Sequence, residues 1–308
     1  MNDLVLVAGG SGFIGSHVVQ GLLTAGYRVR VLDNLATGYL HNLNGLDCEF
    51  VQGDAADVEI ATSAADGVSC IFHLAARPSV PWSIEEPELA RHANLGTTEA
   101  LIAAAEKQGV KRIVFSSSSA IYGDSPELPK TEDMQPAPKS PYAEHKLFGE
   151  NALADAAEKF GLESVSLRYF NVFGPRQDPS SPYSGVISLF ARWLREETAP
   201  TFFGDGKQTR DFVYVDDVVK ANIAAAEANL PQPVQILNIA CGQRIDLLQL
   251  WDTMCKVGQV QGSMPVFQAE RVGDVRHSLA DIQRAERVLG FAPDFDLEQG
   301  LKLTLNSL

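Results

Sequence analysis

Apolar and polar positions alternate along the first half of the chain with two different periods. Short apolar runs at Leu4–Ala8, Arg28–Leu32, Glu49–Val51, Cys70–Leu74 and Arg112–Ser116 read as strands. Between them, Ser11–Ala25 and Ala93–Gln108 carry helical spacing; in the second, Leu95, Leu101, Ile102 and Ala105 fall on one face. Strand and helix in turn predict an α/β fold on a doubly wound parallel sheet. After about Arg168 the rhythm becomes irregular, because Pro175, Pro179, Pro182, Pro200, Pro231 and Pro233 punctuate shorter elements. No repeat, low-complexity run or long linker interrupts the chain. The expectation is a first domain over residues 1–170, with about 205–240 returning to it. Residues 171–308 then form mainly a smaller C-terminal α/β lobe facing a cleft.

Composition narrows the classes. The 308 residues suffice for a large core, and 45% hydrophobic with 21% charged residues is ordinary globular usage. A net charge of −14 argues against a nucleic-acid partner, which needs clustered Lys and Arg. An anionic ligand would need a local positive site against that background. Cys48, Cys70, Cys241 and Cys255 are dispersed, with no Cys-x-x-Cys pair and no His/Cys cluster at metal spacing. No metal site and a reducing compartment are expected. Without a basic leader, an apolar signal core or a membrane-length span, the expected location is cytoplasmic, with no membrane partner.

The first strand runs into Gly9, Gly10, Gly12 and Gly15, after which a helix begins. Glycine permits the tight turn and the close approach of backbone N–H groups to a pyrophosphate, and the helix N-terminus adds partial positive charge. Such a loop alone is weak evidence. Here Asp33 ends the second strand, 18 residues after Gly15. Its carboxylate can accept from adenosine ribose hydroxyls and would repel a 2′-phosphate, so the pattern predicts NAD rather than NADP.

Ser140-Pro141 is a helix start, a capping hydroxyl followed by proline in the first turn. Tyr142 and Lys146 follow, four residues apart on one face. Phenol is a poor base, but a nearby ammonium and a positive nicotinamide would lower its pKa. Tyr142 could then take a hydroxyl proton while hydride leaves for NAD. Tyr-x-x-x-Lys is common on surface helices and gains specificity only beside the glycine loop. Upstream, Phe-Ser-Ser-Ser-Ser-Ala-Ile-Tyr-Gly (115–123) leaves the fifth strand, where ligands bind in such sheets. One of its four serines can hold the reacting oxygen.

Together these residues resemble the extended short-chain dehydrogenase/reductase family, in particular its UDP-hexose 4-epimerase branch. The resemblance spans nearly the whole chain. Its further markers are Leu-Asp-Asn-Leu-Ala-Thr-Gly (32–38), Gly53-Asp54, His-Leu-Ala-Ala (73–76), Asn94 before Gly96-Thr97, Arg-Tyr-Phe-Asn-Val-Phe-Gly-Pro (168–175), Arg210-Asp211-Phe212 and Arg271-Val-Gly-Asp274. It implies a modified Rossmann domain with a small substrate lobe. It also implies that Ser118, Tyr142 and Lys146 are catalytic. Gly9, Gly12, Phe13, Ile14 and Gly15 would hold NAD, with Asp33, Asn34, Thr37 and Gly38. Asp54 and Ala55 would contact its adenine, and Leu74, Ala75, Ala76, Asn94 and Phe170 would line its channel. Asn171 would bind the sugar nucleotide, with Val186, Thr201 and Phe203 at the uridine. Arg210 and Arg271 would clamp the diphosphate, which suits guanidinium geometry, and Asp274 would accept a ribose hydroxyl. His73 reads as a structural strand-end residue.

Within the family, dehydratases place an Asp-Glu pair where this chain has Ser119-Ala120, so no acid for dehydration is present. Ser278 resembles the size gate beside the hexose C2 substituent, where serine leaves room for an N-acetyl group. Arg-His-Ser-Leu-Ala-Asp (276–281) also resembles the branch handling UDP-N-acetylhexosamines, and the chain departs from relatives at Arg77-Pro78. The resemblance thus implies interconversion of UDP-N-acetylglucosamine and UDP-N-acetylgalactosamine, with UDP-glucose and UDP-galactose as a second pair, through a transient 4-keto sugar. The helices near Asn94 and Tyr142 resemble those of a four-helix homodimer interface, the alternative being a monomer. Two rivals stay open: a UDP-glucuronate 4-epimerase or decarboxylase on the same scaffold, and a non-catalytic NAD-binding module.

Overall fold

Seven parallel strands form the central sheet, in a computed structural model that describes residues 3–178, 185–270 and 275–307. They are β1 (Leu4–Ala8), β2 (Arg28–Asp33), β3 (Glu49–Gln52), β4 (Cys70–His73), β5 (Arg112–Ser118), β6 (Glu163–Tyr169) and a seventh strand, Val234–Ile239. Across the sheet the order is Val234–Ile239, β6, β5, β4, β1, β2, β3. β1 therefore has β2 on one side and β4 on the other, and the connections leave in opposite directions. At that switch point the carboxyl ends of the strands open a crevice.

The apolar runs are nearly continuous because both faces are covered. Val5, Val7, Val31, Phe72 and Val114 point to one face, under α1 (Phe13–Thr24) and the helix Val215–Glu227. Leu6, Ala8, Leu32, Ile71 and Ile113 point to the other, under Thr97–Gln108 and Pro141–Phe160. Each fully buried Leu, Ile or Phe side chain contributes roughly 1.5–3 kcal/mol, so the sheet is a stiff platform for its loops. Leu95, Leu101 and Ala105 are buried and Ile102 is half-buried.

Two of the differences from the expected boundaries bear on the site. β5 runs on to Ser118 because Ser116, Ser117 and Ser118 pair with Leu167, Arg168 and Tyr169 of β6. The helix expected from Ala93 opens as a π-helical turn, His92–Gly96, before Thr97–Gln108. Such wide turns recur at functional sites.

Beyond β6 the elements are short and paired over long separations. Asn171–Phe173 pairs with Phe212–Tyr214, and Thr201–Phe203 pairs with Val266–Gln268. The helices Val186–Arg195, Leu247–Gly258 and Leu297–Asn306 pack with them around Phe190, Phe202, Trp251 and Met254. The chain returns to the sheet twice, through Val215–Ile239 and through Ala285 and Phe291, which join the first core.

Candidate active site

The glycine loop separates glycines needed by the fold from one that leaves space. Gly9 has φ +84°, and a Cβ there would lie 2.6 Å from the Ala75 nitrogen. A Cβ on Gly15 would lie 2.0 Å from the Gly9 carbonyl oxygen. On Gly12 a Cβ would meet only that oxygen, at 3.4 Å, an ordinary contact. The turn itself thus requires Gly9 and Gly15, while Gly12 keeps open the space a ligand needs. At its start α1 has no side-chain cap and no acidic residue in its first turn. Its unsatisfied N–H groups fit a diphosphate.

Asp33 is buried; its Oδ2 accepts from Ser11 N at 2.8 Å and its Oδ1 from Leu35 N at 2.8 Å. It therefore pins the loop, a role the sequence pattern does not reveal. A carboxylate has lone pairs to spare for ribose hydroxyls. Asp33, Asn34, Thr37, Gly38, Asp54 and Ala55 line one cavity of about 280 Å³, together with Leu74, Ala75 and Ala76. Asn94 lies in the π-helical turn; its Oδ1 accepts from Arg77 N at 2.8 Å. Its buried Nδ2 has no partner among the described residues, so a donor is left for a ligand. These features fit a dinucleotide.

Gly9, Gly12, Thr37, Leu74, Ala76 and Arg77 line that cavity and also a second one, of about 570 Å³. The second contains Phe13, Ile14, Gly15, Ser118, Tyr142, Lys146 and Phe170. The predicted cap holds: Ser140 Oγ accepts from Ala143 N at 3.2 Å, with Pro141 opening the helix Pro141–Phe160. That helix start brings Tyr142 to the end of β5, where it lines the cavity together with Ser118. Lys146 is 3% exposed, and its Nζ donates to the Ser116 carbonyl at 2.6 Å.

The expected lowering of the Tyr142 pKa combines the ammonium with a positive nicotinamide; in the chain by itself burial pushes that pKa up to about 12, against the pull of Ser118. Lys146 Nζ stands 6.0 Å from the Tyr142 ring centre and turns to Ser116. Burial brings Lys146 itself down to about 7, opposed by the charge of Glu150. Desolvation of both groups outweighs their mutual attraction.

His73 is buried, 2.8 Å from Thr98 Oγ1, and burial holds its imidazole neutral. The sequence reading missed the pair beneath this site. Arg168 donates to both oxygens of Glu150, at 2.9 and 2.7 Å, and Ser117 Oγ donates to the same carboxylate at 2.5 Å. The available signal was the spacing of Glu150, four residues after Lys146.

A third cavity, of about 570 Å³, lies in the lobe and meets the second at Val172, Gln177 and Gly185. It gathers Asn171, Val186, Thr201, Phe203 and Arg210. Gln177, Phe190, Trp193, Gln208 and Gln268 also line it; they share no local pattern and could not be found from sequence. Ser278 is not among the lining residues; its N donates to the Thr209 carbonyl at 3.0 Å, beside Arg210. Arg271 and Asp274 lie outside the described residues. Asp211 ties the lobe to the sheet, accepting from Cys241 N at 2.9 Å and Ala280 N at 3.1 Å. All four cysteines are free thiols. Among the described residues, no cluster of three or more His, Cys, Asp or Glu could hold a metal, and no helix is long and apolar enough to cross a membrane.

The sequence profile of the NAD dependent epimerase/dehydratase family matches residues 5–240. A putative UDP-glucose 4-epimerase of Methanocaldococcus jannaschii is 38% identical over 305 residues, covering 98% of this chain and 97% of that protein. Among solved structures, the UDP-N-acetylglucosamine 4-epimerase from Methanobrevibacter ruminantium M1, in complex with UDP-N-acetylmuramic acid, is similar with a TM-score of 0.94 and 38% identity. That match covers 100% of this chain and 98% of the other. The UDP-glucose 4-epimerase of Thermotoga maritima, with UDP-glucose, is similar with a TM-score of 0.94 and 39% identity, covering 99% and 98% of the two chains.

Proposed function

The chain belongs to the NAD dependent epimerase/dehydratase family, and from that premise we propose that it inverts C4 of a UDP-hexose. UDP-N-acetylglucosamine and UDP-N-acetylgalactosamine are the preferred pair, with UDP-glucose and UDP-galactose second. One observation carries the reading: a continuous trough joins the glycine loop, the Ser118–Tyr142–Lys146 set and the Arg210 cavity. The glycine loop, Asp33, Asn94 and Lys146 would hold NAD, which would supply reversible hydride acceptance from the hexose C4.

This chain's residues do the rest. Tyr142 accepts the C4 hydroxyl proton and gives it back to the C4 oxygen of the inverted sugar. Its ionisation at pH 7 costs about 7 kcal/mol when the pKa is about 12, so the proton moves only when positive charge gathers beside the ring. Ser118 hydrogen-bonds the reacting oxygen in both sugar orientations. Arg210, with Arg271, holds the diphosphate while the 4-keto hexose turns over about it. Asn171 and Asp274 hold the nucleotide end, with Val186, Thr201 and Phe203 about the uridine. Dehydration would need an acid beside Ser118, and Ser119 and Ala120 provide none.

The acetylated pair rests on the resemblance of Ser278 to the family's size gate; the Ser278 backbone N meets the Thr209 carbonyl, next to Arg210 of the substrate cavity. A carboxylated hexose, UDP-glucuronate, is the second reading. It is favoured by Arg77, which lines the reaction cavity with its guanidinium 4.0 Å over the Trp82 ring. We assign a homodimer whose interface includes Phe148, Ile84 and Leu89, large apolar side chains more than half exposed in the single chain. Sedimentation tests that assignment. The acidic charge and free thiols suit the cytoplasm.

The test is incubation with UDP-N-acetylglucosamine, UDP-glucose and UDP-glucuronate separately, following the anomeric proton signals of both epimers. Faster conversion of the acetylated sugar supports the reading. Conversion of UDP-glucose alone discards the role of Ser278, and conversion of UDP-glucuronate alone transfers the assignment to the second reading. NAD binding with no conversion of any sugar sinks the enzyme reading.

A further inference from the structure

Lys146 carries its charge in an unfavourable place. Its Nζ is buried, contacts Ser116 O at 2.6 Å and Ser116 Oγ at 3.5 Å, and stands 4.8 Å from the Phe115 ring centre. The titratable groups around it are Tyr142 and Glu150 on its own helix and His73 from β4. Of these only Glu150 is anionic. One helical turn separates Glu150 from Lys146 on the same face.

Glu150 is itself tightly placed. Its side chain is 1% exposed; Arg168 Nε and Nη2 donate to its two oxygens at 2.9 and 2.7 Å, and Ser117 Oγ donates at 2.5 Å. Ser117 lies between Ser116, whose carbonyl holds Lys146, and Ser118, whose hydroxyl meets Tyr142. A carboxylate fixed at this one point therefore touches the strand segment that carries both contacts.

We infer that Glu150, fixed by Arg168 and Ser117, is a positioning residue that acts through Lys146, holding its amine as a cation against Ser116. The inference deepens the epimerase reading and rests on it for its consequence in turnover. Glu150 makes no ion pair with Lys146: its carboxylate is held by Arg168 and Ser117, and it acts on the amine by charge from one helical turn away and through the Ser116–Ser117 segment that both touch. It opposes the burial that drives the Lys146 pKa down. Glu150 is not among the residues lining the reaction cavity, so its influence passes through Lys146 and through Ser117, which does line it.

Glu150→Gln tests this, with a second variant because the first leaves Arg168 buried without its partner. In Glu150→Gln/Arg168→Met both charges go and the packing is kept, an exchange that folded proteins often tolerate. Competitive acetylation of Lys146 against pH, read by mass spectrometry, gives its titration midpoint in the holoenzyme without any sugar. The expected midpoint falls by about one pH unit or more in both variants, and kcat at pH 7 falls about tenfold with KM changed less than about twofold. A double variant that unfolds like the wild type and keeps the wild-type midpoint overturns the inference, leaving the epimerase reading intact. If the wild type epimerises no UDP-hexose, that reading fails; the midpoint alone then decides the role of Glu150.

Discussion

Replacing Lys146 with methionine is expected to stabilise the cofactor-free protein at neutral pH, with a gain that vanishes in alkaline solution. Lys146 is 3% exposed, and burial brings its amine from 10.5 down to about 7. Between these values the unfolded chain holds a proton that the folded chain lacks. The folded pKa lies below the unfolded one, so stability is complete above about pH 10.5 and is lost as pH falls toward 7. The slope is about 1.4 kcal/mol per pH unit, and the loss at pH 7 sums to about 4 kcal/mol. Against this, the hydrogen bond to Ser116 returns about 1 kcal/mol. Methionine fills a similar volume with no charge to desolvate. Lys146→Met then gains about 3 kcal/mol at pH 7 and loses about 1 kcal/mol near pH 10.5, where only the missing hydrogen bond counts. Guanidinium unfolding of both proteins at four pH values, freed of cofactor, measures the difference. A difference that stays flat with pH, or a variant less stable at pH 7, would refute the burial argument.

Three further outcomes follow from the same geometry. Tyr142→Phe is expected to lower epimerisation at least about 10²-fold while the unfolding midpoint barely moves, since only the buried hydroxyl is lost and the ring stays; full activity would remove Tyr142 from the mechanism. Asp33→Asn is expected to weaken NAD binding and narrow the preference over NADP, and its contact with Ser11 N predicts a small drop in thermal stability. Calorimetric titration with both dinucleotides checks it, and an unchanged NAD affinity would leave Asp33 as a loop anchor only. Arg210→Met is expected to raise KM for the UDP-sugar about 10- to 100-fold with kcat within a few-fold, the loss of a charge-assisted hydrogen bond. A fall in kcat at constant KM would move Arg210 from binding to chemistry.

Legibility in the sequence followed the range of the forces involved. Leu4–Ala8 and Cys70–Leu74 were visible because a doubly covered parallel strand needs an unbroken apolar run. The glycine loop was visible because backbone geometry dictates residue type at Gly9 and Gly15. Ser140-Pro141 announced a helix start, and with it the face carrying Tyr142 and Lys146. What escaped depends on contacts between distant segments. Thr201–Phe203 finds its partner at Val266–Gln268, and nothing local marks either as a strand. Nothing local to Glu150 or Arg168 announces that the fold buries them against each other. The electrostatics of Tyr142 escaped for the same reason: spacing places the lysine nearby, but only burial shows that desolvation raises the one pKa and lowers the other.

The central claim is that C4 is inverted by removing and returning the same hydrogen while Tyr142 handles the proton. Incubation of the holoenzyme with UDP-N-acetylglucosamine in D₂O, followed by proton NMR of the sugar, tests it most directly. The account predicts conversion to the 4-epimer with protium retained at C4. Deuterium at C4 would contradict it, as would an NAD-bound protein that leaves this sugar and its non-acetylated counterpart unchanged.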